Sequence, residues 1–263
     1  MTSESRWKPD GWHARARIGI VVPHADVGPE AEVRAVLPST VSVHGARLYF
    51  SAMRAGGLMD PTIPHQPVES FTAPPLLDDT VESLAASPLD AIALGFTSSA
   101  YKHGPEGEHA LLERLKEPAR GIPIVTTCLA AENALRALDA RTLALVNPPW
   151  FDDDLDTLGA RYFRDLGFDV VHHAPAGLRS GQEFVTPDAL HGWIVSIAKG
   201  ADAVFVAGNG QRAVGVIDAL EHDLGIPILT ANQVLAWNAL EVVGEGAPVT
   251  DYGALFGRRL RQA

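Results

Sequence analysis

The chain has 263 residues, 46% hydrophobic and 20% charged, which is enough for a substantial core in one continuous fold or in two half-size domains. Its formal net charge of −11 makes nucleic acid and anionic membrane poor general partners, so an anionic ligand must be held by local donors. The single cysteine, Cys128, excludes an intramolecular disulfide, a cysteine-rich metal site and any active site built on two thiols.

Met1 to Trp12 is polar and holds no apolar h-region, and no later apolar run is long enough to span a bilayer, so a cytoplasmic location is the expectation. Arg17 to Val22 reads as a buried strand, followed by the turn Pro23 to Asp26 and a helix opened by Pro29 and Glu30, because proline suits a first helical turn. A second strand is expected within Val41 to Phe50. Arg54 to Pro75, with Pro61, Pro64, Pro67, Pro74 and Pro75, reads as a long irregular loop of the kind that forms lids or binding loops. Leu77 to Ala86 is a short helix, Ala91 to Leu94 a strand, Glu108 to Lys116 a helix, Ile122 to Val125 a strand and Leu129 to Leu138 a helix.

The boundary at Asp139 to Arg141 ends a first half, 1–140, and a second half, 141–244, repeats its order. Strands are expected at Leu143 to Val146, Asp169 to Val171, Ala203 to Val206 and Ile226 to Leu229. Helices are expected at Asp153 to Leu166, Pro187 to Ala198, Ala213 to Leu224 and Gln233 to Val243. The segment 245–263 reads as a return, with an extra helix after Tyr252, and the first half is a candidate surface for it. Alternating strands and helices, with strands almost wholly apolar, define an α/β fold: two pseudo-symmetric, doubly wound parallel-sheet halves with the site in the cleft between them.

Two stretches show the repeat best. Ala201 to Glu221 is an apolar run, a turn at Gly208, Asn209 and Gly210, and then a helical pattern; Leu89 to Gly104 has the same design around Gly95 to Ser99. Each is followed by a matching segment, GIPIVTT from Gly121 and GIPILTA from Gly225. A buried strand that turns directly into a helix leaves main-chain N–H groups available to an anion. If the halves face one another, the two turns grip a small anionic guest from opposite sides.

Four features in this order resemble the aspartate/glutamate racemase superfamily, in its maleate isomerase and arylmalonate decarboxylase branch. They are Val22-Pro23 at the first strand end, Thr97-Ser98 followed by Tyr101 and Gly104, the run Pro148-Pro149-Trp150-Phe151-Asp152-Asp153, and the ending PILTANQVLAWNAL. The resemblance covers Arg17 to Gly244. It implies that Thr97 and Ser98 hold a substrate carboxylate, that Trp150 stands near a family tyrosine, and that the backbone around Gly208, Asn209 and Gly210 completes the cradle. Asp26 falls where maleate isomerases carry an asparagine. It further implies a homo-oligomer, a dimer or larger.

The family's two cysteine positions fall on Phe96 and Gly208 here, and neither side chain can transfer a proton or attack a double bond. The acid–base candidates are then Asp26 first, Cys128 and His103 after it, with His24 a solvated turn residue. Each has a plainer reading: Asp26 as a helix N-cap, Cys128 as a small core residue, His103 as a surface histidine. Arg212 reads as a carboxylate partner or as a tie to a neighbouring loop, and Phe96 and Trp150 as pocket walls or core.

Gly208-Asn209-Gly210 lacks the third glycine of a dinucleotide fingerprint, no G-x-S-x-G surrounds Ser98, and no His/Asp cluster supports a metal. The expectation is an enzyme that needs no cofactor and decarboxylates or isomerises a small carboxylate or dicarboxylate. The alternatives are a carboxylate-binding protein without catalysis, and a lyase or hydrolase that reuses the anion site.

Overall fold

In the computed structural model, residues 11–245 and 249–260 are described. The polar start Met1 to Asp10 and parts of the return segment (246–248, 261–263) lie outside the described residues. The first half runs β1 (Ala16–Pro23), α1 (Gly28–Val36), β2 (Val41–Leu48), β3 (Met53–Arg54), β4 (Leu58–Met59), α2 (His65–Phe71), α3 (Leu76–Ala85), β5 (Ala91–Leu94), α4 (Ser98–Leu115), β6 (Ile124–Thr126) and α5 (Thr127–Ala137). The second runs β7 (Thr142–Asn147), α6 (Asp153–Asp165), β8 (Asp169–Pro175), α7 (Pro187–Ile197), β9 (Ala203–Val206), α8 (Ile217–Leu224), β10 (Ile228–Thr230) and α9 (Ala231–Val243).

Each half carries a four-stranded parallel sheet, ordered β2-β1-β5-β6 in the first and β10-β9-β7-β8 in the second, the same order read in reverse. The inner strands β5 and β9 are apolar and buried at every position, because helices cover both of their faces. The fold class is therefore the one the repeat implies.

The proline-rich stretch is more regular than its composition suggests. β3 and β4 pair antiparallel, and α2 forms directly after Pro64 with Pro67 in its first turn, where a missing N–H is no loss. The expectation of a wholly irregular loop over Arg54 to Pro75 is thus corrected. The expected helix after Tyr252 is a single 3-10 turn, Ala254–Gly257. The described part of the return segment is tied to second-half helices: Gly253 N donates to Asp218 Oδ1 at 2.8 Å, Ala254 N to Glu221 Oε2 at 2.9 Å, and Gln233 Nε2 to the Tyr252 carbonyl at 2.8 Å.

The halves interlock. α4 packs on α6, α5 packs on α9, and α9 also lies against α1, β5 and β6, so the last long helix serves the first sheet. Among the described residues no helix is long and apolar enough to cross a membrane.

Candidate functional site

The two strand-end turns meet. Thr97, at the start of α4, donates its hydroxyl proton to Asn209 Oδ1 at 3.0 Å, and its oxygen accepts the Gly208 amide at 3.1 Å. Thr127 Oγ1 lies 3.2 Å from the same Asn209 oxygen, and Asn209 Nδ2 donates to Asn232 Oδ1 at 2.9 Å. Burial of Thr97, Thr127, Asn209 and Asn232 to at most 4% exposure makes these bonds obligatory.

Beside this junction is a cavity of about 60 Å³. Ser98, Thr97, Gly208, Asn209, Gly210, Asp26 and Gln182 form its polar side. Phe50, Phe96, Trp150 and Phe151, with Met53, Met59 and Ile63 from the β3–β4 region, form an apolar wall. Phe96 is held edge-on to Phe71, their centroids 5.0 Å apart. The segment carrying Ile63 is pinned across the cleft: Ile63 N donates to the Trp150 carbonyl at 2.9 Å, and Ser180 Oγ to the Pro61 carbonyl at 2.7 Å.

Two expected donors are already engaged by the protein. The Thr97 hydroxyl and the Gly208 amide satisfy each other and Asn209, because the two turns stand within hydrogen-bond reach. At the start of the next helical segment the amides of Ala213 and Val214 donate to Glu32 Oε1, at 2.7 and 3.1 Å. The second-half helix start is thus filled by an internal carboxylate. α4 differs: no side chain caps it, so the amides of Ser98 and Ser99 in its first turn keep their donor capacity. Asn209 and Gly210 donate their amides to no other described residue.

Asp26 lies on the cavity wall, 4% exposed. Burial pushes its carboxyl above the ordinary range, partly opposed by hydrogen bonds from the Gln182 side chain and the Gly28 amide (2.9 Å) and by the charge of Arg47. Gly210 lets it approach: a Cβ there would lie 2.7 Å from Gln182 Nε2 and 3.0 Å from Asp26 Oδ2.

Other candidates lie elsewhere. Cys128 is fully buried behind Thr97, its Sγ 3.8 Å from the Thr97 carbonyl, and burial pushes its thiol well up, so no thiolate faces the cavity. His103 opens onto a separate cavity along α4 and α6, its Nε2 2.7 Å from Thr72 Oγ1, and burial lowers its pKa. His24 accepts the Phe50 amide at 3.1 Å through Nδ1. Arg212 is exposed and lines an outer groove, not the cavity. Gly208 has φ +83°, and a side chain there would run into the Pro148 ring, so the fold itself leaves no room for a second-turn cysteine.

Reasoning from sequence missed Gln182 and Glu32. Gln182 opens a single 3-10 turn, Gln182–Phe184, between β8 and α7 and gives no signal. Glu32 gives one: it falls on the α1 stripe of Pro29, Val33 and Val36, where a lone carboxylate demands partners.

The arylmalonate decarboxylase family model matches residues 18–256. The arylmalonate decarboxylase of Bordetella bronchiseptica is 25% identical over 250 residues, covering 91% of this chain and 95% of the relative. The maleate isomerase of Pseudomonas putida S16, crystallised with maleate, superimposes with TM-score 0.79 at 20% identity over 92% of this chain and 97% of that one. A mutant Nocardia farcinica maleate cis-trans isomerase with a covalently bound succinylcysteine intermediate gives 0.80 at 22% identity, covering 92% and 98%. With the same two-sheet architecture, a cleft bounded by Thr97 and Gly208, and a family match across nearly its whole length, the chain belongs to the arylmalonate decarboxylase family.

Proposed function

We propose that the protein is a cofactor-independent decarboxylase of a small substituted malonate. The observation that carries this reading is the pairing, across one small cavity, of an uncapped helix start at Ser98 with a buried carboxylic acid at Asp26. One substrate carboxylate binds the α4 amides and the Ser98 hydroxyl, where the helix dipole favours negative charge. The other lies against Phe96, Trp150 and the methionines, an environment that strips its hydration and favours departure as CO₂. The C–C bond breaks with its electron pair left on the substrate, forming an enediolate whose charge the amides of the two turns stabilise. Asp26, whose neutral form is favoured by its burial, gives its proton to carbon and recovers one from water. The product is the monocarboxylate.

Decarboxylation is preferred to isomerisation because Glu32 fills the second helix start, leaving one anion-holding helix terminus for the ligand.

The test is incubation with a panel of substituted malonates in D₂O, following CO₂ release and deuterium at the product's α-carbon. Turnover is expected, with Asp26→Asn lowering kcat by ~10²–10⁴-fold, the range for a lost general acid. Malonate-induced thermal stabilisation without CO₂ would instead establish a non-catalytic carboxylate binder, a reading favoured by the buried position of Cys128. An unchanged rate in Asp26→Asn would remove Asp26 from the mechanism.

A further inference from the structure

Glu32 belongs to the first half, yet the three hydrogen bonds accepted by its carboxylate come from the second. Oε1 accepts from the amides of Ala213 and Val214, and Oε2 accepts from Asn232 Nδ2 at 2.7 Å. Burial raises this carboxyl, but two main-chain amides that can only donate point at Oε1 and oppose that shift; facing an accepting carboxylate, Asn232 presents its NH₂ to Oε2. That choice propagates. Asn232 Oδ1 is left to accept from Asn209 Nδ2, while the Asn232 NH₂ also donates to the Asn209 carbonyl at 2.9 Å. Asn209 therefore turns its side-chain oxygen to the Thr97 hydroxyl, whose own oxygen is then free to receive the Gly208 amide.

We propose that Glu32, which does not line the cavity, is a positioning residue for it: through Asn232 and Asn209 it fixes the donor sense of the Thr97 hydroxyl and holds the Gly208 to Gly210 turn in the shape that forms the cavity wall. The chain of bonds crosses between the halves at Glu32 and again at Thr97, so the two turns are oriented as one unit. It also explains why Thr97 is unavailable as a ligand donor: its proton is directed to Asn209 by a charge three residues along the network. Ser98 is left as the free hydroxyl of that pair.

The experiment is amide hydrogen exchange, read by NMR, in the wild type, Glu32→Gln and Asn232→Ala. Glu32→Gln keeps the shape but places a donor against the amides of Ala213 and Val214 or against the Asn232 NH₂. Asn232→Ala leaves the Glu32 bonds to Ala213 and Val214 and cuts the chain in its middle. In both variants the Gly208 amide is expected to exchange about fivefold or more faster, the loss set by one net hydrogen bond, with amides of β1 unchanged. Faster exchange confined to Ala213 and Val214 in Glu32→Gln, with Gly208 unaltered in both variants, would reduce Glu32 to a local clasp and overturn the proposal. Should Glu32→Gln fail to fold, Glu32→Asp, which keeps the charge but is one methylene too short to reach Asn232, decides by the same Gly208 criterion. A second arm rests on the carboxylate reading of the cavity: malonate affinity by calorimetry is expected to fall about fivefold or more in both variants. Faster Gly208 exchange beside a wild type that binds no malonate would support the positioning role and count against that reading.

Discussion

Burial raises the carboxyl groups of Asp26, Glu32 and Glu108 above their ordinary range. Asp26 has its carboxyl raised by burial, and as the proposed proton donor it works only in its neutral form. The rate is therefore expected to fall as pH rises through that raised value, a limb that a pH–kcat profile shows and that Asp26→Asn lacks. Glu108, 1% exposed and hydrogen-bonded by the Tyr162 hydroxyl, has its carboxyl pushed by burial to about 7. Its protonated form is favoured by the fold, so its stabilising contribution is complete below the unfolded value of 4.5, declines through the interval and is gone above about 7. Glu108→Gln is expected to abolish that decline, a difference of up to about 3 kcal/mol between the two ends measured by urea unfolding at each pH. Equal pH dependence in the two proteins would show that Glu108 titrates normally. At this scale the sequence was informative about residue type and much less so about direction. Asp26, Phe96, Trp150 and Ser98 could be placed at the cleft because each follows a strand. Whether a hydroxyl faces a ligand or a neighbouring turn depends on partners more than a hundred residues away, as Thr97 and Asn209 demonstrate.

Among the elements, short strands of unbroken apolar residues were legible because nothing else fits four buried positions between turns; β5 and β9 lie where they are read. β6 and β10 begin two residues later than expected, since Pro123 and Pro227 cannot donate to a ladder although their carbonyls accept from Ile92 and Val204. α2 was hidden by its prolines, which a first turn tolerates. α4 was read only from Glu108 onward, because Gly104 and Pro105 interrupt a helix that in fact starts at the cleft. Two substitutions test element geometry. Asp152 caps α6, accepting the Leu155 amide at 2.8 Å while its other oxygen meets His65 Nε2 at 2.8 Å; Asp152→Ala is expected to cost about 1 kcal/mol in denaturant unfolding. Gly208→Cys, which would place a thiol in the second turn, meets the Pro148 ring and a positive φ, and is expected to destabilise by about 1–3 kcal/mol without conferring racemisation of the monocarboxylate product. Wild-type stability in that variant would show that the turn yields.

On the scale of the whole molecule the repeat was visible, but the interlocking of its halves was not, because periodicity shows which residues are buried and not which sheet buries them. α9 reads as the end of the second half, yet it packs against α1, α5, β5 and β6. A fragment of residues 1–140 produced alone is therefore expected to keep much of its helical signal while losing near-UV dichroism and binding a hydrophobic dye. A cooperatively unfolding fragment would show that the first sheet is self-sufficient.

That crossing has a consequence during synthesis. When β6 and α5 have left the ribosome, the sheet they complete still lacks a cover that lies almost a hundred codons downstream. At ordinary elongation rates the wait is on the order of ten seconds. Through that interval the nascent polypeptide offers a greasy face to chaperones and to its neighbours on the polysome, and a frameshift late in the message would leave even the early sheet unprotected from proteolysis.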